Sequence, residues 1–427
     1  MLWSIEKLKY AIQILIVRKM SDPTRDLVQR LFLRYYTECF NEVRVKRRFE
    51  EREFAGLLMR DKMMVRHKCF RTRDELQSFL CSMIPSDAYY SSALYKQPDA
   101  PEMSMKGWIG ADLVFDIDAD HIPTSCDKTH DEWVCLTCGF RGKGELPQKC
   151  PSCSGEKFEE KTWPCGKCLA SARLDTIRLL DILTGDFGFS DKNLSLYFSG
   201  HRGYHVHVED EAVECLDSTA RKEVVDYVTG LGFDAGLHGL GDVNARDIGL
   251  KDAGWRGRII NGILSAISSS KIRDFQEIGL KRNVAELIVN NRDLLLKNLS
   301  ASKPLGLVKG FGPDTYGKLV EYSRKSQSAR VDTVVTTDIH RLIRLPGTLH
   351  GKTGLKKVEI PIESVEDFDP FKDAIAFHEG TVKVQVSEAP RFVLGQEEFG
   401  PFQNERVELP TAAALLLICK KRAELAS

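Results

Sequence analysis

Charge of one sign is missing from this 427-residue sequence: 61 Lys+Arg stand against 61 Asp+Glu. Net charge therefore points to no partner. Long apolar runs are missing as well, and with no stretch of 18 apolar residues a membrane-spanning helix is excluded. There is no internal repeat, which excludes a solenoid or a propeller. The early stretch "AIQILIV" (11–17) has the look of a short leader core, but charges interrupt its surroundings and no small-residue cleavage site follows. A reducing, cytoplasmic setting is therefore expected. A complete phosphate-binding loop is also lacking. "LPGTLHGKTG" (345–354) places three residues between Gly347 and Gly351 before Lys352 and Thr353, where a Walker loop needs four. "DIHRLIRL" before it is no hydrophobic strand, and "LKKVEIPI" after it alternates like a strand, so a P-loop ATPase is not expected.

Apolar content of 42% and charged content of 29% are those of a globular chain, long enough for two or three domains. Local charge is less even than the total. Asn41 to Arg73 holds eleven Lys/Arg against five Asp/Glu, a solvated face or a phosphate footprint. Residues 1–19 read as a dispensable extension, with translation able to begin at Met20. Ser21 or Asp22 then caps a helix over 20–40, with Pro23 in its first turn. Strand patterns follow over 54–70 and in "ADLVFDIDADH" (111–121). A helix spans 169–183, with Leu174, Ile177 and Leu180 on one face. Strands cover 194–200 and 204–208, and a helix over 219–230 is closed by Gly230. From 237 to 330 helical spacing dominates, as in "VAELIVNNRDLLLKNL" (284–299). Strand signals return near Thr333–Thr336 and at 355–362, and 409–425 reads as a terminal helix beginning near Pro410. The pattern is that of an α+β enzyme core. That core is split over 20–125, 169–236 and 331–427, around a cysteine-rich module (126–168) and a mostly helical subdomain (237–330).

The acidic strand carries the sharpest signal. Alternate residues of a strand share a face, so Asp116 and Asp118 point the same way, roughly 7 Å apart at Cα, while Leu113, Phe115 and Ile117 point into a core. Paired carboxylates repel unless a cation offsets them, and two divalent ions would do so. Asp112 and Asp120 share that parity, so parity alone does not choose among the four. In "YFSGHRGYHVHV" (197–208), Gly200 and Gly203 allow a tight turn and close approach of a phosphate, which Arg202 could pair. His205 and His207 share the next strand face. Arg344, His350 and Lys352 form a second cationic group suited to a triphosphate. Asp332, in "ARVDTVV", could complete a metal-binding trio.

Seven of twelve cysteines fall between Cys126 and Cys168, and His130 adds an eighth donor. This clustering is that of metal sites, not of a disulfide framework. Cys135-x2-Cys138 and Cys150-x2-Cys153 suit one tetrahedral Zn²⁺, leaving Cys126, His130, Cys165 and Cys168 for a second. The other partition groups Cys126, His130, Cys135 and Cys138 against the remaining four. Cys39, Cys69, Cys81, Cys215 and Cys419 have no neighbour at ligand spacing and read as small core residues.

"DLVFDIDADH", "YFSGHRGYHVHV" and "RLIRLPGTLHGKTGL", in this order and with cysteines after the first, resemble the catalytic small subunit of the archaeal and eukaryotic type of DNA primase. "RLPGTLHGKTGL" and "REFA" (52–55) bring it closer to the archaeal form. The resemblance covers roughly residues 20–425. It implies a primase-type core with an RRM-like mixed sheet, a zinc module and a helical subdomain. It implies primer synthesis, RNA and sometimes DNA, on a single-stranded DNA template from nucleoside triphosphates. It further implies a large partner subunit that carries an iron–sulfur cluster. By this resemblance Asp116, Asp118 and Asp332 hold two Mg²⁺ or Mn²⁺ ions. Ser199, Arg202, His205, Arg344 and His350 contact the nucleotide, and Glu53 and Arg66 form an upstream pair near it. The family has one Cys/His zinc site, ending in a Cys-x2-Cys directly before a helix, as in "CGKCLASARLDTIRLL" (165–180). Residues 131–164 then read as a zinc ribbon inserted into that site, a departure from the family pattern.

Overall fold

A computed structural model describes residues 22–244 and 252–426; the proposed 1–19 extension lies outside the described residues. The first helix, Pro23–Glu38, starts where Asp22 accepts hydrogen bonds from the N–H groups of Thr24 and Arg25. That side chain satisfies donors left unpaired at a helix start, and Pro23 needs no donor there. Val28, Phe32, Tyr35 and Tyr36 form its buried stripe.

The chain is a mixed α+β protein whose core is built around two four-stranded antiparallel sheets. One runs in the order Leu342–Arg344, Pro85–Ser91, Phe54–Leu58, Met64–Lys68. The other runs Val358–Ile360, Leu194–Phe198, Gly203–Val208, Leu113–Asp118. In the second sheet Leu113, Phe115, Ile117, Tyr204, Val206 and Val208 are buried in the main core with Leu169, Ala172 and Leu179 of the helix Gly166–Gly185. The opposite face carries Asp116, Asp118, His205 and His207. There His207 meets Tyr90 of the first sheet, with ring nitrogen and hydroxyl 3.3 Å apart. The two sheets therefore face each other across the acidic strand's polar side.

A separate core, including Trp255, Ile259, Ile263, Leu295, Leu299 and Leu319, organises the helical region Gly254–Gln327. It joins the main body through Trp255 Nε1, which donates to the carbonyl of Tyr227 at 2.9 Å, and through Arg258, paired with Asp181 and Asp186 at 2.6 Å each.

Several expected elements differ. Thr333–Thr337 is a helix, not a strand. Its β-branched residues favour a strand, but Asp332 caps the turn by accepting from the N–H groups of Val334 and Val335. The 284–299 pattern breaks at Asn291 into two helices, Arg282–Asn290 and Arg292–Ser300. In Gly166–Gly185 the buried face is Leu169, Ala172, Thr176, Leu179 and Leu183, while Leu174 is 55% exposed. The terminal helix stops at Cys419, and Ala423–Leu425 joins Thr381–Ala389 and Phe402–Pro410 in a three-stranded sheet that the sequence reading left out. Of the five isolated cysteines, Cys39, Cys81 and Cys419 are half-buried and pack against the main core, whereas Cys69 is half-buried outside it and Cys215 is exposed.

Candidate active site

Register places the polar residues. His205 lies opposite Asp116 and Gly203 opposite Asp118. Only glycine fits at 203, because a Cβ there would meet the Ile117 carbonyl oxygen at 2.4 Å. Gly200, at φ +87°, supplies the left-handed turn that returns the chain. Between the two sheets lies a cavity of about 240 Å³. Asp116, Asp118, Ser199 and His205 line it from the second sheet and its turn, Arg344 from the first, and His350 and Lys352 from the following loop. Tyr89, Asp120, His201 and Arg341, which sequence reasoning did not select, line it too.

Asp332 is absent from that lining but adjoins it. Its main-chain N–H donates to the carbonyl of Asp116 at 2.8 Å. Asp116 has its pKa pushed up to about 7 by burial, with Asp118 and then Asp332 adding like charge. Asp118 is pushed up by burial too, an effect that Arg202 opposes. Three acids whose charged forms oppose one another make a donor set that fits divalent cations.

The cationic wall is braced by Asp87. It accepts from Arg344 Nη1 at 2.5 Å and from the Gly351 N–H at 3.0 Å. Burial raises the Asp87 pKa, but Arg344, the Gly351 N–H and Ser86 outweigh it, so the net shift is downward. His350 accepts from the Lys352 N–H at Nδ1, 3.0 Å. Its neutral ring therefore carries its proton on Nε2. Burial, then neighbouring cations, hold both His205 and His350 well below the ordinary histidine value. The Gly347–Thr353 segment thus hangs from a carboxylate and leads to a short strand, the opposite of a Walker loop.

Not every sequence-selected residue reaches the cavity. Arg202 is 1% exposed and turns toward the cysteine-rich module. It pairs with Asp120, and with Asp131 at 2.6 Å. Glu53 is fully buried between Arg66 at 3.0 Å and Lys106 at 3.1 Å, so the Glu53–Arg66 pair is satisfied away from the lining. Part of the basic stretch 41–73 is similarly engaged. Arg47 and Arg48 reach Glu214 at 3.3 and 2.8 Å, and Arg52 reaches Asp112 at 2.8 Å. Neutralised in this way, those side chains make a structural network instead of a phosphate footprint. Lys357 was missed by sequence reasoning: it is 1% exposed, donates to the Arg344 carbonyl at 2.9 Å and lies 4.6 Å from the Tyr197 ring centre.

The cysteines fall into two sets. Cys126, His130, Cys165 and Cys168 converge, as do Cys135, Cys138, Cys150 and Cys153, each set with its ligand atoms within 4.8 Å of one another. Either set could hold a metal ion, and the thiolate-rich donors fit zinc. His130 Nδ1 lies 2.8 Å from Asp131, a carboxylate partner of the kind that orients a metal-binding imidazole. The inner set sits on the small sheet of Glu132–Cys135, Arg141–Lys143 and Phe158–Lys161.

Paired acids facing a cationic wall across one cavity form a site that could take a polyanion together with divalent ions. Comparison with known proteins agrees. The family model described as "DNA primase small subunit" matches residues 148–363. The chain is 31% identical to the DNA primase small subunit PriS of Nitrosopumilus maritimus, over 95% of this chain and 100% of that one. It is 33% identical to PriS of Archaeoglobus fulgidus, over 93% and 97%, and 33% identical to that of Methanothrix thermoacetophila, over 88% and 92%. The chain belongs to the DNA primase small subunit family. Among the described residues no helix is long and apolar enough to cross a membrane.

Proposed function

We propose that this chain is the catalytic subunit of a DNA primase, making short RNA primers, and in some settings DNA primers, on single-stranded DNA from nucleoside triphosphates. The observation that carries the reading is the convergence of Asp116 and Asp118, with Asp332 alongside, on the cavity that Arg344, His350 and Lys352 face from the other side. Asp116, Asp118 and Asp332 would hold two Mg²⁺ or Mn²⁺ ions, which when bound lower the pKa of an attacking 3′-hydroxyl and offset charge on the phosphates. Arg344 and Lys352 bind the triphosphate by charge, while neutral His350 offers it the Nε2 proton as a donor. His205, 3.5 Å from Asp116, orients that carboxylate or the phosphate beside it. Ser199, at the turn, supplies a hydroxyl to the same cavity. No side-chain nucleophile is needed, because in-line transfer between nucleotides rests on positioning and electrostatics.

The four-stranded sheet bearing Asp116, with the helix Gly166–Gly185 against its apolar face, is read as the RRM-like core. The Cys126/His130/Cys165/Cys168 set and the inner thiolate set are read as structural zinc sites, since four-ligand sites leave no open position for chemistry. Arg141, Lys143 and Lys149 of the inner ribbon would contact the template, with Lys143 and Lys149 lying 4.0 and 3.6 Å from Glu132 and Glu156. A large subunit with an iron–sulfur cluster is the expected partner.

The test is synthesis on single-stranded DNA with no 3′-end supplied, in Mg²⁺ or Mn²⁺. A related polymerase of repair or end joining would extend a supplied end but not begin one. A non-catalytic nucleic-acid binder would do neither, and Asp116→Ala with Asp118→Ala would change nothing it does.

A further inference from the structure

Behind the cavity's cationic wall, one residue removed from the lining, stands a side chain from a distant part of the chain. Lys420 ends the helix Thr411–Cys419 and is 8% exposed. Among the described residues its amine makes one hydrogen bond, 2.6 Å from His201 Nε2. The Thr162 hydroxyl lies 3.3 Å from the same nitrogen. His201 lines the cavity, and its ring stacks on His350 with centres 5.1 Å apart. An ammonium with a neutral imidazole as partner, and no acid in contact, is costly to bury. The nearby acids relieve it only in part, since Asp131 is already held by Arg202 and Asp87 by Arg344.

We propose that Lys420 is a positioning residue for the triphosphate, acting through His201, and that the Lys420–His201 pair takes up a proton from solvent when a polyphosphate enters the cavity. This rests on the nucleotide reading given above. The balance is simple. The unprotonated amine of Lys420 becomes an ammonium that donates to His201 Nε2, the proton comes from buffer, and the added positive charge lies behind His201, one side chain from the incoming anion. The groups facing the pair are Arg202 from its own turn, Arg344, His350 and Lys352 from the opposite wall, Cys419 from the same helix, and Asp131 from the cysteine-rich module. Burial first, then Arg202 and Lys352, push the Lys420 amine down to about 7, with Cys419 and Asp131 opposing them. The empty wall is therefore short of a proton at mildly alkaline pH, and a polyanion reverses that.

The experiment is calorimetric binding of ATP, and of inorganic tripolyphosphate, to the full chain with its bound zinc and no added divalent ion. It is run at pH 8 in two buffers of different ionisation enthalpy. The expected result is uptake approaching about one proton per bound ATP, with affinity falling by up to about tenfold per pH unit above neutrality. Lys420→Met is expected to lose that uptake and weaken binding about tenfold. Lys420→Arg, which keeps a charge that does not titrate, is expected to lose the uptake while holding affinity within about threefold. ATP binding without proton uptake by the wild type, or undiminished uptake in both variants, overturns the inference and leaves the nucleotide reading standing. Failure of the wild type to bind ATP even with Mn²⁺ overturns both.

Discussion

The main-chain N–H of Asp332 donates to the carbonyl of Asp116 at 2.8 Å. One backbone bond thus ties the helix Thr333–Thr337 to the acidic strand and sets the third acid beside the first two. Asp332 does two jobs, capping that helix and adding to the charge felt by Asp116. The substitutions Asp116→Ala, Asp118→Ala and Asp332→Asn are each expected to lower primer synthesis at least about a hundredfold while the fold is kept. Asp332→Ala is expected to lose about 1 kcal/mol of stability as well, through the missing cap. Synthesis assays paired with thermal melts check this; full synthesis by Asp332→Asn would remove that residue from the proposed metal site.

Arg202 ties the turn of the histidine strand to Asp131, the same carboxylate that meets His130. Removing one partner of a buried ion pair leaves the other uncompensated. Arg202→Ala and Asp131→Ala are therefore each expected to cost about 3–5 kcal/mol of stability and to speed zinc release to a chelator. A pure triphosphate contact would instead raise the KM for nucleotide with stability and zinc retention unchanged.

Asp87 gives a pH-dependent signature. Its folded-state pKa lies below the ordinary carboxylate value, with Arg344 and the Gly351 N–H overcoming burial. A depressed carboxylate contributes stability above its unfolded pKa, about 3.9, and loses it as pH falls toward the folded value. Urea unfolding of wild type and Asp87→Asn should show a constant gap at pH 7 and pH 5, narrowing below about pH 4. A gap unchanged down to pH 3 would mean the carboxylate's charge plays no part.

Metal content is the fourth check. Elemental analysis is expected to find about two zinc ions per chain. Cys135→Ser with Cys153→Ser should remove one of them and leave the main core's melting unchanged, because that set sits on its own small sheet. Cys165→Ser with Cys168→Ser should lower core stability, since Cys168 is buried in the main cluster. One zinc held by all eight donors, or none, would contradict two separate sites.

Where local rules suffice, the sequence reading and the structure agree. Strand parity places Asp116 and Asp118 on one face, and both line the cavity. Asp22 and Gly230 bound their helices by cap chemistry that acts over a few residues. Where a distant partner decides, the reading misses. Leu174 matches the helical spacing yet is exposed, because the neighbouring strands select a different face of that helix. Arg202 has the look of a phosphate contact in its motif, but two acids from the cysteine-rich module and its approach claim it.

By itself the sequence determined the ingredients: two acids in strand register, glycines where the chain must turn, cations grouped near histidines, and thiols at ligand spacing. Those features depend on residues a few positions apart, where backbone geometry is already known. Only the tertiary structure decided which cations remain available to the cavity and which are neutralised inside the protein. Glu53, Asp131 and Lys420 meet Lys106, Arg202 and His201 from segments far away in the chain. Charge pairing acts over a few ångströms of space, and separation along the chain does not reveal that distance.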